Sequence, residues 1–196
     1  MSRPPKCAPA PAAEGEVRII GGRLRGSRLR FPALQGLRPS SDRVRETLFN
    51  WLGQDLEGWH CLDLFAGSGA LGFEAASRGA ARVVLVEHDA AALRALEANR
   101  QALQAAAVTV QRGDALKFLH QCRERFDLVL LDPPFALDCW PQLLRDLPPC
   151  LKPGAMVYCE SGAALQPVAG WTVVRQGRAG QVFYQLLQNT AETGAP

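Results

Sequence analysis

Histidine, tyrosine, methionine and lysine are scarce here, at three, two, two and three residues among 196. Six cysteines are present (Cys7, Cys61, Cys122, Cys139, Cys150 and Cys159), with no C-x-x-C spacing among them. No histidine except His60, beside Cys61, stands near a cysteine in a ligand-like pattern, so neither a zinc site nor any other metal site is expected. Most of the cysteines sit in apolar runs, which suits a reduced, buried role and a cytoplasmic location. No apolar run approaches the roughly 18 residues of a membrane span. The opening "MSRPPKCAPAPAAEGE" has no apolar core and reads as a loose tail over residues 1–16 rather than a leader. Internal repeats are absent, and low complexity is confined to the Ala/Pro tail. What remains is 47% apolar and long enough for one well-buried domain with a small appendage, expected to be a monomer.

Charge is unevenly spread. From Arg18 to Arg45 there are eight arginines (18, 23, 25, 28, 30, 38, 43 and 45) against one acid, Asp42, a net of +7. Residues 46–196 carry 12 basic and 16 acidic side chains, a net of −4. A basic arm on a mildly acidic body points to a polyanionic partner and makes nucleic-acid contact the favoured reading. The ordinary alternative is a solvated surface in an arginine-rich chain.

The arm, residues 17–52, divides in two. "VRIIGGRLRGSRLRF" alternates apolar and Arg positions around Gly21-Gly22 and Gly26-Ser27, predicting a short twisted hairpin with Arg23, Arg25, Arg28 and Arg30 on its solvent side. Pro39-Ser40-Ser41-Asp42 is a helix start, followed by Val44, Leu48, Trp51 and Leu52 at helical spacing, with Arg43 and Glu46 facing elsewhere. Residues 53–190 then alternate. Strands are predicted at 60–65, 82–87, 108–112, 126–132 and 155–160, and helices at about 70–79, 89–106, 115–123 and 140–150. That order means a parallel α/β sheet covered on both faces. "WTVVRQ" and "QVFYQLLQ", separated only by the turn "GRAG", pair antiparallel, so one of them must oppose the sheet. Residues 191–196 read as a tail.

Ligands of open parallel sheets lie at the carboxyl ends of the strands. Four acids fall there: Asp63, Glu87, Asp114 and Asp132. After Asp63 comes Gly67-Ser68-Gly69-Ala70-Leu71-Gly72, whose glycines permit positive φ and close backbone approach, with a helix N-terminus following. Glu87 stands where a carboxylate could bind both hydroxyls of a ribose. NAD and S-adenosylmethionine (SAM) would both be served so far. Asp63 separates them: a carboxylate there repels a pyrophosphate yet suits the ammonium and sulfonium charges of SAM. No length remains for the separate substrate region of an oxidoreductase. SAM is therefore favoured.

"DPPF" is the sharpest signal. The buried run "FDLVLL" delivers Asp132-Pro133-Pro134-Phe135 to the ligand edge, and each proline holds the residue before it extended. The corner offers one carboxylate, carbonyls without local N–H partners, and an aromatic face. That set matches an exocyclic amine on a planar base, whose nitrogen lone pair is delocalised into the ring. If Asp132 and the Pro133 carbonyl accept its two hydrogens, the nitrogen is drawn toward tetrahedral geometry and becomes nucleophilic, with Phe135 stacked on the base. A plain strand-ending turn would use the same residue types, but it would not need the glycine loop upstream. Adenine, cytosine and guanine all carry such an amine, so the motif leaves the base open.

"RIIGGRLRG", "LRPSSDRVRETLFNWL", "CLDLFAGSGALGFEAASRGA" and "LDPPF" together resemble the bacterial 16S ribosomal RNA guanine-N2 methyltransferases, the small-subunit methyltransferase D family, over about Val17 to Gln188. The glycine loop and D-P-P-F are common to many amino-methyltransferases, whereas "RPSSDRVRETLFN" is more specific. The resemblance implies a Rossmann-like class I SAM-dependent fold with a seven-stranded, mostly parallel sheet whose last strand is antiparallel. It implies methylation of N2 of one guanine, guanine 966, of 16S rRNA in the small ribosomal subunit. By position it implies that Asp63, Phe65, Ala66, Gly67, Ser68, Gly69 and Glu87 hold SAM, with Asp114 and Ala115 near its adenine. Asp132, Pro133, Pro134 and Phe135 would hold the guanine. Arg38 to Glu46 would lie close to cofactor and RNA, which adds Arg38, Arg43 and Arg45 to the candidate RNA contacts Arg23, Arg25 and Arg28. Two other readings stay in view: a DNA adenine-N6 methyltransferase, which normally needs a sequence-reading domain, and an NAD-dependent oxidoreductase.

Overall fold

The computed structural model describes residues 14–33, 40–135, 137, 139–166 and 169–190. Two antiparallel strands open it, β1 (Glu14–Arg18) and β2 (Arg28–Pro32). The hairpin therefore begins at Glu14, ahead of the Val17 expected. Glu16, which had been placed in the tail, lies opposite Arg30, and its carboxylate meets Arg28 at 2.8 Å and Arg30 at 3.4 Å. The connection 19–27 is a wide turn, with Gly22 and Gly26 at positive φ.

Helix α1 (Asp42–Trp51) starts where "PSSD" predicts. Ser41 caps it, its Oγ accepting from Val44 N, a contact worth about 1 kcal/mol. The buried face differs from the expected one: Val44, Arg45, Leu48 and Phe49 point inward, and Trp51 and Leu52 are only half-buried. Arg45, counted as polar, hid one of the four positions of that stripe, and Phe49 takes the place expected of Trp51 and Leu52.

The main sheet comprises β3 (His60–Asp63), β4 (Arg82–Glu87), β5 (Val108–Arg112), β6 (Phe126–Leu131), β7 (Leu151–Ser161), β8 (Trp171–Ala179) and β9 (Val182–Asn189). Its order is β5-β4-β3-β6-β7-β9-β8. All neighbouring pairs from β5 to β7 are parallel, and β9 runs antiparallel to both β7 and β8. The last strand in the chain is thus the one that opposes the rest, wedged beside β7. Between strands lie α2 (Ala70–Ser77), α3 (Ala90–Ala102), α4 (Ala115–Gln121) and α5 (Trp140–Asp146), the last continued by a short 3-10 turn at Pro148–Cys150.

Alternate strand residues serve two cores, as the two-residue period of a pleat requires. Cys61, Val83, Leu85, Leu128, Leu130 and Tyr158 pack under α1, α2, α3 and the hairpin. Leu62, Val84, Val86, Val129, Leu131 and Val157 pack under α4 and α5. Parity then decides the site. Asp63, Glu87, Asp132 and Glu160 share the parity of the first set, so their side chains leave the strand ends toward the α1–α2 side.

Cys61, Cys139, Cys150 and Cys159 are buried, as the apolar runs around them predict, and Cys122 is half-buried.

Candidate active site

Five adjacent strands end in acids along one edge. In spatial order they are Asp114 after β5, Glu87 on β4, Asp63 on β3, Asp132 after β6 and Glu160 on β7. The first four are those expected. Glu160 is the addition. It closes "AMVYCE" at a strand end in the same way as the others, so the signal was there to be used.

The glycine loop is tightly built. Gly67 and Gly69 adopt φ of 50° and 79°, the left-handed region that favours glycine. Gly69 N donates to Ala66 O at 2.6 Å, and Gly69 serves as N-cap of α2, whose first-turn amides are met instead by side chains from outside the helix. Ser68 Oγ accepts from Ala70 N at 3.3 Å. A Cβ at Gly72 would collide with the Leu85 side chain and crowd the Asp63 carboxyl, so α2 lies close against the sheet. Ala66 is buried beneath the loop, tied to Val86 O at 3.0 Å, and Phe65 is half-buried.

Asp63 is 1% exposed. Its Oδ2 accepts from Gly72 N at 3.0 Å. Its Oδ1 is the one buried side-chain N or O atom among the described residues with no hydrogen-bond partner. Burial pushes this carboxyl up to about 7 from 3.8; the Gly72 amide opposes the shift, the Glu87 charge adds to it, and the Phe65 amide opposes it without meeting hydrogen-bond geometry. A buried, half-satisfied carboxyl beside a glycine loop has acceptor capacity suited to a cationic group.

Glu87 is also buried, and the backbone holds it in place. Its Oε2 accepts from Gly67 N at 2.9 Å, and its Oε1 from His88 N and Asp89 N, both at 2.8 Å. One carboxylate thus fixes both the loop and the turn into α3. Asp114 stands farther out, exposed, capping α4 through Lys117 N at 3.1 Å, with Ala115 buried behind it.

The D-P-P-F corner follows β6. Pro133 is buried, Pro134 is exposed and Phe135 is 56% exposed, its ring lying over Gly162. Leu137 N donates to the Pro134 carbonyl at 2.8 Å. The expectation of unpartnered carbonyls therefore fails at Pro134, where the turn closes on itself. The acceptors left to the corner are the Asp132 carboxyl and the Pro133 carbonyl. Asp132 has company that was not foreseen. Ser40 Oγ lies 3.3 Å from Asp132 Oδ2 and 2.7 Å from Glu160 Oε2, and the Tyr158 hydroxyl donates to the same Glu160 oxygen at 2.9 Å. Enclosure raises Asp132 well above the usual carboxylate range, with the Glu160 and Asp63 charges adding and Ser40 opposing.

The arginines divide. Arg23, Arg25, Arg28 and Arg43 are exposed, as is Arg30. Arg38 lies outside the described residues. Arg45 overturns expectation: it is fully buried and cannot reach a nucleic acid in the folded protein. Its guanidinium bonds Glu74 Oε2 at 3.3 Å, Asp42 Oδ1 at 2.6 Å, Arg18 O at 2.8 Å and Ser40 O at 3.2 Å. It is a bolt between α1, α2 and the arm. Among the described residues, no group of three or more His, Cys, Asp or Glu could hold a metal, and no helix is long and apolar enough to cross a membrane.

The sheet order, the reversed final strand and the glycine loop at the strand ends define a Rossmann-like methyltransferase fold. The solved structure of Escherichia coli YhhF superposes with a TM-score of 0.82 at 43% identity, covering 90% of this chain and 99% of that one. The fold also extends to SMU.776, solved in complex with SAH, with a TM-score of 0.62 at 17% identity over 78% of this chain and 50% of that one. Residues 17–188 match the family model described as conserved hypothetical protein 95. The protein named ribosomal RNA small subunit methyltransferase D of Escherichia coli K12 is 44% identical over 191 residues, spanning 94% of this chain and 96% of its own. The chain belongs to that family.

Proposed function

We propose that this protein methylates the exocyclic N2 amine of a guanine in 16S rRNA of the small ribosomal subunit, with SAM as donor. The observation that carries the chemistry is the pairing of Asp63 with the Asp132 corner on adjacent strand ends, close enough for the Asp63 charge to act on Asp132. The relative named for the small-subunit activity supports the choice of ribosomal RNA.

The residues fit SAM. Asp63 Oδ1 has acceptor capacity to spare for the ammonium group, and Gly67 and Gly69 hold the loop in a left-handed backbone conformation that favours glycine. Glu87, held in place by three backbone amides, would take the ribose hydroxyls, and Asp114 and Ala115 would lie toward the adenine. When bound, SAM supplies a methyl carbon whose bond to sulfur breaks with the electron pair going to sulfur. The chain's own residues do the rest. Asp132 and the Pro133 carbonyl accept the two amine hydrogens and turn the lone pair out of the ring plane, while Phe135 stacks on the base. Orientation of this kind is worth up to roughly 7–11 kcal/mol of a barrier. Arg23, Arg25, Arg28 and Arg43 meet phosphates, and an unpaired loop base avoids the few kcal/mol that extrusion from a duplex costs.

The test is direct. Tritium from methyl-labelled SAM should enter 16S rRNA in small subunits and be recovered after digestion as N2-methylguanosine. Recovery on adenine or cytosine, or on DNA in preference to the subunit, would refute the assignment.

A further inference from the structure

A half-buried carboxyl (Asp132), a buried one (Glu160) and one hydroxyl meet at the strand ends, and their hydrogens do not add up. Ser40 Oγ has a single hydrogen, and its shorter contact, 2.7 Å, is to Glu160 Oε2. Tyr158 donates its own hydrogen to that same oxygen. Asp132 Oδ2, 3.3 Å from Ser40 Oγ, then faces a lone pair unless it carries a hydrogen itself. No ion pair to Asp132 or Glu160 occurs among the described residues. We propose that Ser40 and Glu160 are positioning residues for Asp132: the two carboxyls hold one proton between them across the Ser40 hydroxyl, and Glu160 takes it when Asp132 must meet the base amine as a carboxylate. The proposal rests on the reading of Asp132 given above.

The exchange balances. At rest Asp132 donates its hydrogen to Ser40 Oγ, while Ser40 donates to an ionised Glu160. When the amine arrives, the O–H bond at Asp132 breaks and a new one forms at Ser40, whose original hydrogen passes to Glu160. The pair carries one negative charge before and after, so no additional charge is buried. Once the amine nitrogen has used its lone pair to bond carbon, it holds one proton too many. That N–H bond breaks, its electrons return to nitrogen, and the proton passes to Asp132 and from this half-buried edge to water.

The surroundings favour a shared proton over two charges. Asp63 faces the pair from β3, Tyr158 from β7, and Tyr184 on β9 lies opposite Glu160 in the sheet. The cation nearest in the network, Arg45 of α1, touches only the Ser40 carbonyl with Nε and commits its other nitrogens to Glu74, Asp42 and Arg18 O. Both carboxyls are raised by burial, Asp132 well above its usual range; in Glu160 the Ser40 and Tyr158 hydroxyls oppose the rise. The resting proton therefore belongs on Asp132.

Carboxyl carbon NMR of the ligand-free protein, labelled at Asp and Glu, reads this without any turnover. The Asp132 signal, identified by its loss in Asp132→Asn, should titrate well above the ordinary carboxylate range, in two steps shared with Glu160. Glu160→Gln should lower its midpoint by at least one pH unit and move the acidic limb of kcat/KM the same way. Ser40→Ala should cut kcat at least tenfold at unchanged KM for SAM, with Ser40→Thr restoring most of it. Independent single titrations of Asp132 and Glu160 near their usual values in the unaltered protein would overturn the proposal, whether or not the variants fold. So would an unchanged Asp132 midpoint in Glu160→Gln. Because the titration involves no RNA, a wrong base would refute the substrate reading while leaving this result standing.

Discussion

Asp63 shows what a single residue can cost a fold for the sake of a ligand. Its carboxyl is raised from 3.8 to about 7 in the folded chain. A group raised on folding favours the folded state fully below its unfolded value, and that advantage is lost as pH rises through the folded value. Ionised Asp63 therefore penalises the ligand-free protein progressively from about pH 4 to pH 7, by at most about 4 kcal/mol. Asp132 and Glu160 shift in the same direction, so their penalties fall on the same side. Asp63→Asn should accordingly raise the melting temperature at pH 8 and flatten its decline between about pH 4 and 7, while weakening SAM at least tenfold. Calorimetry across pH, with and without SAM, checks both halves. An unaltered stability profile would mean that Asp63 is not the buried charge described here. Asp132 separates from Asp63 by function. Asp132→Ala should lower kcat by about 10²–10⁴-fold and leave SAM affinity within a few-fold, as read by isothermal titration. Equal loss of both would move Asp132 from the base to the cofactor.

At the scale of elements, the hairpin works as a display of charge. Arg23 and Arg25 project from its turn without ion pairs among the described residues, whereas Arg28 shares Glu16 with Arg30. Replacing Arg23, Arg25 and Arg28 together by Gln should weaken RNA binding and make its dependence on log salt shallower by up to ~2. A filter-binding series in salt reads the slope, and an unchanged one would return these arginines to the solvated surface. The hairpin, the strands and the antiparallel pairing of the last two were legible in the sequence because alternation and turn residues are local signals, whereas which of the two opposes the sheet came from the family resemblance. The site was legible where its chemistry followed a strand: Asp63, Glu87, Asp114 and the D-P-P-F corner all fall at the expected edge. The inward face of α1 was less so. Arg45 reads as surface charge in any hydrophobic pattern, and its burial depends on partners that the pattern does not show, Glu74 across the interface among them. Ser40 and Glu160 are 120 residues apart and meet only through the sheet order, which parity arguments cannot supply without knowing that β7 neighbours β6.

For the whole molecule, Glu74 is the point where the basic arm becomes part of the enzyme. Fully buried on α2, it accepts from Ile20 N at 2.8 Å and Gly21 N at 2.7 Å in the arm, from Arg45 on α1, and from Arg78 Nε at 2.9 Å. Ser77 reinforces the seam through Gly21 O and Leu24 N, and a Cβ at Gly22 would collide with the Ser77 carbonyl. The helix that carries this seam at its far end is capped at its start by Gly69 of the glycine loop. Arm and loop are thus held on one short rigid element, which sets the exposed arginines of the arm at a fixed distance from Asp132. Removing one partner of such a buried network leaves guanidiniums uncompensated, so Glu74→Ala should cost about 3–5 kcal/mol, or roughly 10 °C in melting temperature. Glu74→Gln is the gentler probe, since it keeps the shape and loses the charge. Under hydrogen exchange, the amides of Ile20, Gly21 and Leu24 should then open locally and fast, while Val84 and Leu130 in the central strands retain the protection of global unfolding. RNA affinity should fall with the arm, and SAM affinity should hold, because Asp63 and Glu87 are anchored by the sheet rather than by Glu74. If the arm amides stay as protected as the strand amides in Glu74→Gln, the arm is fastened by its apolar contacts, Ile19 and Leu29 foremost, and the carboxylate is only their companion.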